Sequence, residues 1–583
     1  MKNAEIAQAF NEIADLLELK GDNPFRIRAY RRAALNAEGM TQDLATLPEE
    51  ALAALPGIGK DLAAKIREQV ATGRIGLHET LKKEIPAGLL EILRVPGVGP
   101  KTAKMLFEKR GVTSIGELEA LAREGKLAGL PGIQEKAEEN IRKGIALLKR
   151  IGERQPLGKA LPLAREIVDL LRTRVPSGTF ELAGSIRRCR DTIGDVDVLA
   201  AGRDPEAIAS AFVRLPVFRD ILEKGPTKCS ARTAEGIQVD LRVVERESFG
   251  AALQYFTGSK AHNIKLREMA SRRGLKINEY GVVREKDGRR LGGAREEDVY
   301  AAVGLPFIPP ELREDTGEIE AARDGTLPDL VDLGDIRGDL HIHTKWSDGS
   351  HDLDTIVAAA REKGYRYIAV TDHSKGLGVA HGLDEKRLRE QGALIDRANA
   401  ALRGFRILKG TEVDIRSDGS LDLPDDALRE LDIVVASIHS GFRQPREQIT
   451  KRLVSAVRNP LVSVIAHPTG RLLGEREAYD VDMEAVFREA ARRGTAMEIN
   501  SYPMRLDLSD AHAKEAKRHG IPIVISTDTH VRTQLDFMAY GVSIARRGWL
   551  GKKDVLNTLP AAALLKRLGA MRGPRKPSAG TSP

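Results

Sequence analysis

The sequence predicts a multidomain α/β protein: a helical N-terminal region, a middle region that changes to strands, and a C-terminal α/β barrel. Three observations predict it. The chain has 583 residues, more than a single hydrophobic core usually organises. A Pro-Gly pattern in helical surroundings recurs through the first quarter of the chain, and repetition of that kind marks a repeated structural unit. From Gly338 onward strand-like and helical stretches alternate, and the strand-like ones end in His, Asp or Glu, the signature of parallel strands with helical crossovers.

The composition supports a folded chain, with 30% charged and 42% hydrophobic residues. The exception is the tail "MRGPRKPSAGTSP", expected to be disordered over 571–583. The opening "MKNAEIAQAFNEIADLLELKGD" carries acids and an amphipathic pattern, so a helix is expected there rather than a signal segment. No apolar run approaches the roughly 18 residues that span a bilayer, so no membrane partner is expected. Cys189 and Cys229 cannot form a disulfide framework and suit a reducing cytoplasm. The formal charge of +8 leans toward an anionic partner. Residues 1–150, however, hold 24 Lys+Arg against 21 Asp+Glu, so any basic surface there must be local.

Three N-terminal segments share one pattern: "LPGIGKDLAAKI" (55–66), "VPGVGPKTAKML" (95–106) and "LPGIQEKAEENI" (130–141). A Gly-X-Gly turn lets backbone pass close to an anion, and the following helix aims free N–H groups at it. The alternative is a tight turn used only for packing; two intact copies favour the phosphate clamp. The segments resemble helix-hairpin-helix motifs, which grip the DNA backbone without reading bases. Gly57, Gly59, Gly97 and Gly99 are the candidate contacts, and Gln134 breaks the pattern in the third copy.

Strands replace helices in "TFELAGSIRRCRDTIGDVDVLA" (179–200). Alternation puts Asp195 and Asp197 on one face and Val196 and Val198 in the core. "GIQVDLRVV" (236–244) adds Asp240 from another apolar strand. Three carboxylates converging from strands suit Mg²⁺, which keeps room for waters and substrate phosphates. Arg187 and Arg188, following Gly184-Ser185, add guanidinium groups matched to phosphate. Together these point to nucleotidyl transfer.

On these motifs, residues 1 to about 316 resemble a family-X DNA polymerase, the class of DNA polymerase β. "AGSIRRCRDTIGDVDVL" is similar to its nucleotidyltransferase signature, "QVDLRV" to the third-carboxylate strand, and "YFTGSKAHNIKLR" (255–267) and "INEY" (277–280) to its nucleotide-binding and thumb segments. The resemblance implies a mixed-sheet nucleotidyltransferase palm with a thumb, and two Mg or Mn ions on the catalytic carboxylates Asp195, Asp197 and Asp240. It implies that Ser185 and Arg188 hold the incoming deoxynucleoside triphosphate, and that Tyr255, Phe256 and Gly258 line its sugar. Asn263 would meet the base in the minor groove and Arg267 the template. Lys260 and Gln238 depart from the animal enzymes, so affinity and fidelity do not transfer. "NPFRIRAYRRAA" (23–34) resembles the family's 5′-phosphate-binding domain. Lys65 falls where some members keep a Schiff-base lysine, but Asp61 stands nearby where the animal enzyme has a lysine. A phosphate contact is therefore the expected role of Lys65, ahead of lyase chemistry.

"TGEIEAARDGTLPDLVDLGD" (316–335) reads as a linker or docking strap, with 9 Asp+Glu against 2 Lys+Arg across 311–335. Beyond it, "YIAVTDH", "FRILKGTEVDI", "DIVVASIHS", "VSVIAHP", "GTAMEINS" and "IPIVISTDTH" alternate with helical stretches. In such barrels functional groups sit at the C-terminal ends of strands. His373, Glu412, His439, His467, Asp528 and His530 stand there, and "GDLHIHTKWSDGSHD" (338–352) adds His341, His343 and Asp348. Ten of the 12 histidines lie between 341 and 530, far more than an even spread. Imidazole with carboxylate suits Zn, Mn or Fe better than Ca. Arg471, beside the His467 strand end, is either a substrate-phosphate contact or a surface cation.

The motifs "HIHTKWSDG", "TDHS", "GTEVD", "SIHS", "AHPTGR" and "STDTH" resemble the polymerase-and-histidinol-phosphatase (PHP) domain, a metal phosphoesterase on a distorted TIM-like barrel. The resemblance implies about three ions. One would sit on His341, His343, Glu412 and Asp528, a second on Glu412, His439 and His467, and a third on Asp348, His373 and His530. The expected division is 1–85, an 8-kDa-like DNA-end-binding domain; 86–154, a helix-hairpin-helix fingers-type domain; 155–262, the palm; 263–315, the thumb; 316–336, the acidic linker; and 337–570, the PHP domain. The whole resembles a bacterial-type family-X polymerase that fills short repair gaps in gapped or primer-template DNA. The PHP domain would give 3′–5′ exonuclease activity, with abasic-site cleavage or 3′-phosphatase activity as further options. It is expected to be monomeric, cytoplasmic and nucleoid-associated. The alternatives are a repair nuclease or phosphatase whose polymerase half only binds DNA, and a non-catalytic DNA-end scaffold. Intact carboxylate and ligand sets speak against both.

Overall fold

The computed structural model describes residues 3–39, 44–55, 58–93, 95, 98–131, 133–152 and 154–571. Gly57, Gly97 and the tail after Met571 lie outside them. Among the described residues no helix is long and apolar enough to cross a membrane.

The N-terminal region is helical, with two small cores. Ile6, Phe10, Ile13 and Leu17 of helix Asn3–Lys20 recur on one helical face and bury against Tyr30, Ala33 and Ala37 of helix Pro24–Gly39. A second cluster gathers Leu89, Ile92, Leu106, Leu118 and Ile141. In two of the repeated segments the described residues start helices Lys60–Thr72 and Pro100–Arg110. Gly59 and Gly99 occupy the N-caps, and Gly73 and Gly111 close the C-termini in the left-handed conformation, the usual glycine stop.

The middle region carries a five-stranded mixed sheet in the order Thr179–Leu182, Asp195–Ala201, Gln238–Val244, Lys228–Thr233, Phe218–Lys224. The two carboxylate-bearing strands are parallel neighbours, with Asp197 directly opposite Asp240. Val196, Val198, Val239 and Leu241 point the other way and are buried, as period-2 alternation requires. A three-stranded antiparallel sheet, Leu275–Asn278, Gly281–Arg284 and Arg290–Gly292, follows.

The acidic strap after Thr316 is ordered. It forms helix Glu318–Arg323, pairs Leu330 with Gly551, and buries Val331 and Ile336. Seven parallel strands come next, in sequence order: Gly338–Ile342, Tyr367–Val370, Arg406–Asp414, Ile433–Ser437, Val464–Ile465, Ala496–Asn500 and Ile523–Ser526. The chain after the last strand returns to the first: Thr529 bridges Ile342, and the His343 N–H donates to the Thr529 carbonyl at 2.8 Å. The barrel is thereby nearly closed. Leu564 and Leu568 of helix Ala561–Met571 pack with alternate strand residues such as Leu340, Tyr367 and Val435. The five-stranded sheet and the barrel belong to one continuous apolar cluster, so their mutual placement rests on core packing as well as on polar tethers.

Candidate metal centres

In the mixed sheet, ligand oxygens of Asp195, Asp197 and Asp240 lie within 4.8 Å of one another. Gly184 explains how the turn carrying Ser185 comes so near. It sits at φ 62°, and a Cβ there would lie 2.0 Å from Asp197 Oδ2, so both backbone conformation and space require glycine. Burial, then the charges of Asp195 and Asp240, push the Asp197 carboxyl up to about 7. Burial and Asp240 raise Asp195 in the same direction. Ser230 Oγ donates to Asp240, and Gln238 Nε2 donates to both its oxygens at 3.2 and 3.1 Å. Three mutually repelling carboxylates with little cationic compensation fit a hard divalent cation, which removes the repulsion.

The two adjacent arginines diverge. Arg187 is committed to structure: Nη1 and Nη2 donate to Glu296 at 2.8 and 2.7 Å, and Nη1 also donates to Thr257 Oγ1 at 2.7 Å. Glu296 also accepts from the fully buried Arg313. Arg188 takes other partners. Its Nε donates to Glu314 Oε1 at 3.0 Å and its Nη1 to the Thr257 carbonyl. Ser185 is half-buried in the short helix Gly184–Arg187. Tyr255 and Phe256 meet edge to face at 5.2 Å near the end of helix Phe249–Thr257, which Gly258 caps. The Asn263 amide is turned inward: Nδ2 donates to the Tyr255 carbonyl at 2.7 Å, and Oδ1 accepts from Gln254 Nε2 at 2.7 Å. Arg267 is exposed, its Nε donating to the Asn263 carbonyl at 3.3 Å.

In the helical region, Gly59 and Gly99 are exposed, and a Cβ at either would meet nothing within 4 Å. Lys65 is paired with Asp61 one helical turn away and lies largely covered, with 15% of its side chain exposed.

At the barrel mouth the strand ends bring the second set together. His343, Asp348, His373 and His530 offer ligand atoms within 4.8 Å of one another, as do His341, His343 and Asp528, and also His373, Glu412 and His439. Glu412 is the hub: its Oε1 lies 3.0 Å from His467 Nε2 and 3.3 Å from His439 Nε2. Its Oε2 lies 2.7 Å from His373 Nδ1, 3.5 Å from His341 Nε2 and 3.6 Å from His343 Nε2. All nine expected positions thus converge: His341, His343, Asp348, His373, Glu412, His439, His467, Asp528 and His530. His343 stands between two of the groups, reaching Asp528 at 3.1 Å and Asp348 at 3.8 Å. His467 and Asp528 hold left-handed backbone at φ 29° and 55°. Strain of this kind persists where surrounding structure over-determines a functional side chain.

The polar atoms here test whether a metal fits. Among the described residues, His341 Nε2 and both ring nitrogens of His343 are buried without a hydrogen bond. Burial of that many unsatisfied polar atoms is expensive unless something coordinates them, and mixed N/O donors suit a borderline transition metal. Burial, then His530 and His373, lower the His343 imidazole to about 3, the neutral form that a ligand requires. Burial also works against the charged form of His373, but Glu412 and Asp348 override it and raise that ring to about 10.

Several contributors escaped sequence reading. Glu498, fully buried, accepts from His341 Nδ1 at 2.7 Å and from the His467 N–H at 2.8 Å, and Asn500 Nδ2 donates to Asp528 at 3.1 Å. The signal was present in "AMEIN": a Glu and an Asn interrupt an apolar strand whose end faces the histidines. Asp372, beside ligand His373, accepts from the Thr344 N–H at 2.7 Å and from Gln391 Nε2 at 2.6 Å, fixing the loop after His343. Arg471 donates to Asp191 across the domain boundary at 3.1 Å and to the Arg505 carbonyl at 3.0 Å. It is a tether between the sheet and the barrel.

Four family descriptions match the chain: a helix-hairpin-helix domain over residues 1–75, a SAM-like helix-hairpin-helix tandem over 89–146, a DNA polymerase beta thumb over 252–314, and a PHP domain over 339–501. The chain is 42% identical over 559 residues to a DNA polymerase/3′–5′ exonuclease PolX of Bacillus subtilis, covering 96% of this chain and 97% of that one. It is also 33% identical over 234 residues to a probable phosphatase of Thermoanaerobacter, covering 38% of this chain and 89% of the relative. It is likewise 34% identical over 239 residues to a probable phosphatase of Shewanella oneidensis, covering 39% and 89%.

Proposed function

The chain belongs to the family-X DNA polymerases that carry a C-terminal PHP domain; it is a DNA polymerase joined to a metal-dependent phosphoesterase, and we propose that synthesis runs at Asp195, Asp197 and Asp240 while 3′–5′ excision runs at the barrel mouth. The observation that supports this division is the difference between the two donor sets: carboxylates alone in one, imidazoles with carboxylates in the other. Oxygen-only donors suit Mg or Mn in the synthetic centre, and the mixed set suits Zn, Mn or Fe, about three ions by family likeness. Bound divalent ions lower the pKa of an attacking oxygen and neutralise charge on the phosphate in either reaction.

The protein's own groups do the rest. Asp240, oriented by Ser230 and Gln238, faces a primer 3′-hydroxyl. Ser185 and Arg188 hold the triphosphate, and Tyr255, Phe256 and Gly258 bound its sugar. Arg267 lies on the template side. Asn263 reaches the base only after exchanging its bonds to Tyr255 and Gln254. Gly59 and Gly99, with Gly57 and Gly97, bring backbone amides to DNA phosphates, and Lys65 adds a phosphate contact. In the barrel, Glu498 and Asn500 orient His341 and Asp528. The substrate is gapped or primer-template DNA, handled by a cytoplasmic monomer. Primer extension and degradation of 3′-labelled DNA, run side by side with Mg²⁺ and Mn²⁺, test the reading. Loss of each activity should follow mutation of its own centre alone.

A further inference from the structure

We propose that Arg547, a residue of the barrel, is a positioning residue for nucleotide addition in the other half of the molecule: it neutralises Glu314 and so keeps the Arg188 guanidinium available to the incoming triphosphate. The inference rests on the reading that Arg188 holds that triphosphate. Arg547 ends helix Met538–Arg547 and is buried, with 5% exposure. Its Nη2 donates to Asp510, also in the barrel, while Nη1 crosses to the polymerase half, donating to Glu314 Oε1 at 3.0 Å and to the carbonyl of Arg188 at 2.7 Å. The same Glu314 oxygen accepts from Arg188 Nε at 3.0 Å. One carboxylate oxygen is thus shared by two guanidinium groups from different domains, with Arg190 farther off at 3.8 Å.

The charge balance has a direct consequence. A half-buried carboxylate beside Arg188 competes with phosphate for the guanidinium and repels a triphosphate, and low local polarity strengthens both effects. The second guanidinium offsets that charge. The bond to the Arg188 carbonyl also holds the end of helix Gly184–Arg187, which carries Ser185. An intact barrel is therefore part of the nucleotide site without touching the nucleotide.

The test uses the full chain. Arg547→Met keeps most of the side-chain volume and removes the charge. The KM for deoxynucleoside triphosphate in primer extension should rise about tenfold, the scale of a typical coupling between sites, with a smaller change in kcat. Release of 3′-labelled nucleotides should be unaltered. Adding Glu314→Gln should return the KM toward wild type, because no unbalanced acid is left, and Glu314→Gln alone should lower it. Arg188→Ala, measured beside them, tests the underlying reading. If Arg188→Ala raises the KM and Arg547→Met does not, the inference fails and the reading stands. If Arg188→Ala leaves it unchanged, the reading fails and the inference with it. A rise in Arg547→Met that Glu314→Gln does not relieve marks a merely structural role and overturns the inference. Should Arg547→Met not fold, Glu314→Gln decides alone, since a raised KM there contradicts the charge argument.

Discussion

Glu498→Gln should weaken excision and leave synthesis intact. Glu498 is fully buried and uses both carboxylate oxygens as acceptors: Oε1 for His341 Nδ1 at 2.7 Å, and Oε2 for the His467 N–H at 2.8 Å and Asn500 Nδ2 at 3.3 Å. Glutamine has the same shape but a single oxygen. Whichever way its amide turns, an NH₂ group faces a donor, so at least one bond is lost and one donor is left unpaired. A hydrogen bond to a charged group contributes about 1.5–3 kcal/mol, which at about 1.4 kcal/mol per decade converts to roughly tenfold to hundredfold. Partners that orient metal-binding histidines show effects of the same size, about 10–100-fold in metal affinity or activity. The assay is a Mn²⁺ titration of 3′-nucleotide release, in which the half-saturating concentration should rise by that factor, with primer extension by the same preparation as control. An unchanged half-saturating Mn²⁺ would refute the orienting role of Glu498. An equal loss of primer extension would trace the effect to general misfolding.

Three other outcomes follow from the two centres and the helical grips. Asp240→Ala should abolish nucleotide addition while DNA binding, measured by fluorescence anisotropy, is kept; extension at the wild-type rate would remove Asp240 from the catalytic set. Changing His341 and His343 together to Ala should reduce 3′-nucleotide removal by orders of magnitude and lower the metal content of the purified chain, with primer extension retained. Gly59→Val and Gly99→Val have open space around the new side chain, so thermal stability should hold while affinity falls alike for all duplex sequences and its salt dependence flattens. Sequence-dependent losses would contradict a backbone clamp.

The fold was legible where pattern and chemistry coincide. Alternating Asp and Val over 195–198 predicts a strand with one charged face, and Asp197 opposite Asp240 realises it. The barrel strands announce themselves through apolar runs ending in ligands, because a parallel sheet buries both faces. What sequence could not give is which partner a charged group takes. Arg187 and Arg188 are adjacent and chemically alike, yet helical geometry turns one into the Glu296–Arg313 cluster and sets the other against Glu314 and the Thr257 carbonyl. Asn263 and Arg471 make bonds to residues far along the chain or to main-chain carbonyls, which no local spacing encodes. Glu498 shows in the sequence only as a polar break in an apolar strand, and its meaning comes from histidines of other strands, 31 and 157 residues away.

The shared core bears on how two opposed reactions coexist. Sheet and barrel belong to one apolar cluster, and Arg471–Asp191 and Arg547–Glu314 add polar ties across the same boundary. A large apolar contact of this kind resists rigid-body separation, unlike the small polar contacts that permit domain motion. The two clusters of ligand-capable side chains therefore stay in one frame. The two donor sets differ, carboxylates alone in the sheet and imidazoles with carboxylates in the barrel, so the two activities are expected to respond differently to a change in the supplied divalent ion.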